Sequence, residues 1–152
     1  MHARVIYLRD SAHAPLAERQ SLGRPLDVVV LYTNPAVTAK ALAASSELAR
    51  SLESAITLMA VHVLPYPSPL ECQQGIQRRL EDNLRAVART SPAEIRAKVV
   101  FARDRTDACL GLLRRQSVVV IGTRKHWWRT REERLARRLA AHGHSVAVIR
   151  VE

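Results

Sequence analysis

Short apolar runs recur along the chain and are separated by longer stretches in which apolar residues follow helical spacing. Residues 26–32 form a continuous run of aliphatic and β-branched side chains, which is typical of a strand buried on both faces of a parallel sheet. Similar runs occur at residues 55–64, 97–102, 117–121 and 145–151. The pattern therefore predicts five strands.

The stretches between these strands begin with residues that favour helix starts. Asn34 is a good N-cap, and Pro35 suits the first helical position because its missing N–H would be unpaired there. The other predicted starts are capping boxes at residues 68–71 and 130–133, and a cap at Asp104 or Thr106. A helix is therefore expected between each pair of strands.

This alternation with short connections predicts a three-layer α/β/α fold, in which helices cover both faces of a parallel sheet. Ligands of such sheets bind beyond the carboxyl ends of the strands, where the strand order reverses. The candidate site therefore lies at Thr33 and Asn34 and from Gly122 onward. Residues 1–25 form an N-terminal extension with a candidate edge strand, and residues 26–152 form one domain.

Four segments resemble the universal stress protein family. They are residues 27–31 with the capped helix after them, and residues 58–65, 117–124 and 145–151. The resemblance covers residues 26–151 and implies a Rossmann-like open sheet of five parallel strands in the order 3-2-1-4-5. It also implies a homodimer paired through the last strand, with Val146, Val148 and Arg150 as candidate contact residues.

Many members of this family bind ATP, using an acidic residue after the first strand and glycines that let backbone amides approach the phosphates. In this chain the acid position is Thr33, and the second glycine position is Lys125. No Gly-Ser or Gly-Thr pair follows at Leu135. The resemblance therefore implies a degenerate site for a nucleotide or another anion. Its candidate residues are Thr33, Asn34, Val61, Gly122, Thr123, Arg124 and Lys125.

Residues 124–131 carry the most distinctive chemistry, because they hold both tryptophans of the chain beside several cations. One interpretation is a surface on which indoles stack on bases and cations hold phosphates. The favoured interpretation is an altered loop whose tryptophans pack over the sheet edge or in a dimer contact, because buried indole surface is strongly stabilising. The candidate surface residues are Arg124, Lys125, Trp127, Trp128, Arg129 and Arg131.

Composition narrows the classes of protein and partner. The 152 residues include 24 Lys and Arg and 14 Asp and Glu, so the formal net charge is +10. This charge permits nucleic acid, anionic membranes or anionic ligands as partners, but its spread over helix faces favours solvated surfaces. The apolar runs are too short to span a bilayer, and the N-terminal run is too short for a signal peptide. We therefore expect a cytoplasmic protein without membrane insertion.

The chain shows no paired-acid, Cys-His or Walker-type constellation and no metal-ligand spacing. We expect a non-enzymatic universal-stress-type regulatory or interaction module in the stress response, dimeric and without a resident cofactor. One alternative is a sensor of ATP, AMP or a cyclic dinucleotide. A second alternative is a nucleic-acid binder that uses residues 124–131. A weak nucleotide hydrolase ranks lowest.

Overall fold

The computed structural model describes residues 3–8, 27–71, 73–115 and 117–152. Its elements are, in chain order, β1 (Ala3–Tyr7), β2 (Val28–Leu31), α1 (Pro35–Ser51), β3 (Ile56–Val63), α2 (Gln74–Ala88), β4 (Ile95–Ala102), α3 (Arg105–Leu112), β5 (Val118–Arg124), α4 (Arg131–Ala141) and β6 (Ser145–Val151). No helix in these ranges is long and apolar enough to cross a membrane.

The strands form one sheet in the order β1-β4-β3-β2-β5-β6. Strands β2 to β6 run parallel to one another, whereas β1 runs antiparallel to β4 and sets Tyr7 opposite Lys98. The sheet therefore has six strands where five were predicted; counted from β2, its five parallel strands follow the predicted order 3-2-1-4-5. The added strand covers the β4 edge, whose backbone groups would otherwise stay unpaired. The rest of the predicted N-terminal extension, residues 9–26, lies outside the described residues.

Two apolar layers pack on the two faces of this sheet, as the alternation of elements predicts. Helices α1 and α2 cover one face, where Leu42 and Leu84 pack near Phe101. Helices α3 and α4 cover the other face, where Cys109 and Leu139 share a cluster with strand residues. Strand β2 lies between both layers, and each of its residues is at most 6% exposed. The three-layer α/β/α class is therefore confirmed.

Three helices begin at predicted caps, with Asp104 and not Thr106 as the cap of α3. Each cap side chain accepts a hydrogen bond from an amide three residues further on: Asn34 from Val37, Asp104 from Asp107, and Thr130 from Glu133. These caps satisfy amides that the helices leave unpaired at their first turns. They also fix where the chain turns after β2, β4 and β5.

The start of α2 differs from its prediction. The helix begins at Gln74 and has no side-chain cap, so the capping box at residues 68–71 is wrong. The Arg103 guanidinium donates to the carbonyl oxygens of Leu64, Pro65 and Ser68 at 3.1, 3.2 and 2.6 Å. Arg103 thus binds the carbonyls of the segment before α2, and the helix begins only at Gln74.

Candidate functional site

A cleft opens where the chain leaves β2 and β5. These two strands are neighbours, yet β2 leads into α1 on one face of the sheet and β5 leads toward α4 on the other. Such divergence creates a crevice beyond the strand ends. The cleft encloses about 160 Å³ and is lined by Thr33, Asn34, Val37, Gly122, Thr123, Arg124, His126, Thr130 and Glu132.

Five of the seven predicted nucleotide or anion residues meet in this cleft. They are Thr33, Asn34, Gly122, Thr123 and Arg124. Val61 instead packs against the apolar layer beneath α3 and α4. The Lys125 ammonium pairs with a carboxylate oxygen of Glu152 at 3.2 Å. Val61 and Lys125 therefore line no part of the cleft.

Gly122 serves the packing of α1 against β5. A Cβ at this position would lie 2.6 Å from Cγ1 of Val37 and 3.0 Å from its carbonyl oxygen. Only a residue without a side chain permits this close approach. The sequence analysis places Gly122 among the candidate anion-binding residues. The structure shows that Gly122 packs against α1, which forms one wall of the cleft.

The amino end of α1 uses most of its own hydrogen-bond donors. Pro35 has no backbone N–H, and the Val37 amide donates to the Asn34 side chain at 3.0 Å. The Thr38 amide donates to the Asn34 carbonyl at 2.9 Å, as the first helical bond. This helix end therefore offers few amides to an anion.

The amino end of α4 is complemented by acidic side chains. Glu132 and Glu133 both lie in its first turn, where carboxylates interact favourably with the helix dipole. Glu133 accepts from Arg150 at 3.1 Å, and Glu132 lies 3.8 Å from Arg105. A phosphate in the cleft would therefore meet the Glu132 carboxylate instead of bare amides.

Three of the residues that line the cleft carry hydroxyl groups. The hydroxyl oxygens of Thr123 and Thr130 lie 3.0 Å apart, within hydrogen-bond distance. The Thr33 hydroxyl is buried and has no hydrogen-bond partner in the structure. Small-molecule sites usually enclose roughly 300–1,000 Å³, so this cleft suits a small anion better than a whole nucleotide.

Both tryptophans of the loop before α4 face solvent. Trp127 is 90% exposed and Trp128 is 59% exposed. Their ring centroids lie 4.9 Å apart at 59°, and His126 stacks on Trp128 at 6.0 Å and 2°. The prediction that these indoles pack over the sheet edge is therefore wrong. Their burial in a dimer contact stays a prediction.

A second concavity, which we call the arginine groove, lies between the start of α3 and the outer side of α4. It encloses about 620 Å³ and is lined by Val63, Asp104, Arg105, Thr106, Arg131, Arg134, Leu135, Arg137 and Arg138. The spread of charge over helix faces favours solvated surfaces, and Arg134, Arg137 and Arg138 are among these charges. Their spacing on one helix was a usable signal, but the contribution of Arg105 depends on how α3 meets α4.

Burial shifts the pKa values of two other reactive side chains, Cys109 and His62. Burial raises the pKa of the Cys109 thiol to about 11, so the thiolate is disfavoured at neutral pH. Desolvation, together with the charge of Arg79, lowers the pKa of His62. Within the described ranges, no group of three or more His, Cys, Asp or Glu side chains could hold a metal ion.

Comparison with solved structures shows which known fold this architecture shares. The chain is similar to a universal stress protein family structure from Burkholderia pseudomallei, at 18% identity and a TM-score of 0.51, over 84% of this chain and 96% of that one. It is also similar to a universal stress protein from Archaeoglobus fulgidus, at 16% identity and a TM-score of 0.57, over 84% and 93% of the two chains.

The sequence comparisons gave a different result. No protein-family model matches this sequence, and no curated protein matches it. The structural similarity therefore establishes a universal stress protein fold for this chain, while the residues of its sites must be interpreted from their own chemistry.

Proposed function

We propose that this chain, which has the universal stress protein fold, is a non-enzymatic regulatory or interaction module with a degenerate nucleotide site. The observation that carries the proposal is the cleft beyond β2 and β5, which encloses only about 160 Å³. Its two helix ends are already complemented, by the Asn34 cap on α1 and by the carboxylates on α4. The phosphates of an adenine nucleotide would therefore find few unpaired backbone amides in the cleft.

Calorimetric titration and thermal unfolding with ATP, AMP and a cyclic dinucleotide test this proposal. At 1 mM ligand, a dissociation constant of about 10 μM would stabilise the fold by roughly 2.7 kcal/mol, which raises the unfolding temperature measurably. We expect no such rise. A rise that disappears in Arg124→Ala would place a nucleotide in the cleft and contradict the proposal.

The proposed module is a homodimer paired through β6. Strand β6 pairs with β5 on one side, and its other edge has no strand partner among the described residues. Val146 and Val148 are half-buried against the layer that α3 and α4 cover, and Arg150 pairs with Glu133. An open edge with apolar side chains is a surface on which a second copy can pair.

Sedimentation of the full chain at micromolar concentrations measures this association. We expect a dimer that Val148→Lys shifts toward monomer, because a lysine on an edge strand opposes pairing. Tyr7→Lys is the matched control, since Tyr7 is 71% exposed on β1 at the opposite edge of the sheet. A monomeric wild type, or a dimer lost only in the control, would refute pairing through β6.

A small-anion sensor is the second candidate function. The unpaired Thr33 hydroxyl and the exposed Arg124 side chain both line the cleft, and its volume suits a phosphate-sized ligand. The Glu132 carboxylate in the same lining already pairs with Arg105 at 3.8 Å. A guanidinium and a hydroxyl are suitable donors to an oxyanion. Titration with inorganic phosphate should then stabilise the wild type, and Arg124→Ala should abolish that effect. Equal stabilisation of both proteins would exclude the cleft.

A further inference from the structure

The arginine groove carries positive charge that the described residues neutralise only in part. Of the carboxylates in the first turn of α4, Glu132 pairs with Arg105, which also lines the groove, and Glu133 pairs with Arg150. Within the described ranges, no carboxylate lies within salt-bridge distance of four arginines of α4. They are Arg131, Arg134, Arg137 and Arg138.

These arginines form a continuous row along the helix. Arg131, Arg134 and Arg138 are three and four positions apart, so they follow one another on one side of α4. Asp104, whose carboxylate caps α3 by accepting from the Asp107 amide, is the one acidic residue among the described residues that line the groove, against five arginines. The groove is therefore a cationic channel of about 620 Å³ along the side of the helix.

The exposed indoles lie at one end of this row. Trp128 precedes Arg131 by three residues, so their Cα atoms are at most about 11 Å apart. Trp127 is 90% exposed and leaves its ring faces open to a planar partner. Exposing an indole to water is energetically unfavourable. Two adjacent exposed indoles beside the arginine groove therefore indicate a binding surface.

We propose that Trp127, Trp128 and the arginine groove together bind single-stranded nucleic acid. Bases stack on the indoles, and the arginines hold the phosphates through charge-assisted hydrogen bonds. A duplex would keep its base faces inside the stack and leave the indoles unused. An acidic polypeptide would match the charge but supplies no row of planar rings. This surface does not use the cleft or the β6 edge, so it extends the proposed function.

Intrinsic fluorescence gives a direct readout, because Trp127 and Trp128 are the only tryptophans in the chain. The full-length protein is titrated with a 12-nucleotide oligo(dT), a 12-nucleotide oligo(rU) and a DNA duplex of the same length. We expect fluorescence quenching by at least one single strand and much weaker quenching by the duplex. The ratio of the two affinities reports the combined effect of the ribose 2′-hydroxyl and the thymine methyl group.

Salt dependence and variants assign the contacts. We expect the double variant Trp127→Ala/Trp128→Ala to bind about tenfold or more weakly, because base stacking is lost. Its affinity is measured by the fluorescence anisotropy of a labelled oligonucleotide. Arg134→Ala should weaken binding and reduce the salt slope by about 0.7, the value for one single-strand phosphate contact. Arg78→Ala, an equal charge change on the exposed side of α2, should alter neither quantity.

Three outcomes would overturn the proposal. The first is absence of binding to both single strands at 50 mM salt. The second is an equal loss in Arg78→Ala and Arg134→Ala, which would reduce the effect to net charge. The third is equal binding of polyglutamate or duplex with no effect of the tryptophan variants, which would make the surface a nonspecific site for polyanions. Unchanged thermal unfolding of each variant shows that the fold is retained.

Discussion

The cleft beyond β2 and β5 and the arginine groove both lie beside α4, but they differ in how far their charged and polar groups are already paired. The cleft is small, about 160 Å³, and its helix ends are capped by neighbouring side chains. The groove is about 620 Å³ and its arginines on α4 have no acidic partners among the described residues. The comparison shows that the fold supplies the sites, whereas side-chain pairing decides which of them remains available.

Helix α4 contributes to both surfaces because its carboxylates lie near its amino end. Glu132 and Glu133 occupy the first turn beside Arg131, and Arg134, Arg137 and Arg138 follow in the later turns. This order suits the helix dipole, which favours carboxylates at the amino end and cations toward the carboxyl end. The same arrangement directs the Glu132 carboxylate toward the cleft and leaves the arginine row for the groove.

The largest expected effect is in the wall of the cleft. Gly122→Ala places a Cβ 2.6 Å from Cγ1 of Val37, so we expect a loss of about 1–3 kcal/mol in the free energy of unfolding, measured by urea denaturation. Gly75→Ala is the control, because a Cβ there meets nothing within 4 Å. It should be neutral or stabilising by up to about 1 kcal/mol. A Gly122→Ala protein as stable as wild type would refute the packing role.

A smaller effect is expected at the cap between cleft and groove. Thr130→Ala removes the acceptor of the Glu133 amide and the partner of the Thr123 hydroxyl, which should cost about 1 kcal/mol of unfolding free energy. Thr106→Ala is the matched control, because Asp104 and not Thr106 caps α3. Thermal or urea unfolding distinguishes the two. Equal losses in both variants would exclude a capping origin.

The third effect depends on pH and concerns His62, beside the exposed end of β3. Burial first, and then the charge of Arg79, lower the pKa of His62 below its ordinary 6.5, so the folded state binds a proton less readily than the unfolded chain. Stability should therefore decline as the pH falls below 6.5 and level off below the lowered pKa. Urea midpoints at pH 7.5 and pH 5 measure this decline.

The matching variant for this effect is His62→Gln, which cannot take up the proton. Its urea midpoint should change less between the two pH values than that of the wild type. A wild-type decline that persists unchanged in His62→Gln would assign the acid sensitivity to other groups.

The smallest effect on stability is expected in the groove. Arg134 is exposed and has no ion-pair partner among the described residues, so Arg134→Ala should change the free energy of unfolding by less than about 0.5 kcal/mol. Urea denaturation measures it beside the binding titration. A loss above about 1 kcal/mol would show that the arginine row stabilises the fold. It would contradict the view that these arginines are available for binding only.

The candidate site was predictable where the relevant residues are neighbours in sequence. Asn34, Asp104 and Thr130 cap their helices as predicted, because a cap joins groups only three residues apart. The meeting of Thr33 and Gly122 also followed, because carboxyl ends of parallel strands share one edge of a sheet. The local sequence did not reveal that Val37 occupies the space beside Gly122.

The sequence by itself determined the alternation of strands and helices, the α/β class and three of the helix starts, since these depend on periodicity and on short-range hydrogen bonds. Only the tertiary structure decided that β1 pairs antiparallel with β4, that Arg103 binds the Ser68 carbonyl before α2, and that Arg105 joins the arginines of α4. Each of these contacts joins residues distant in sequence. Their partners depend on which surfaces the folded layers bring together, and no local pattern specifies that choice.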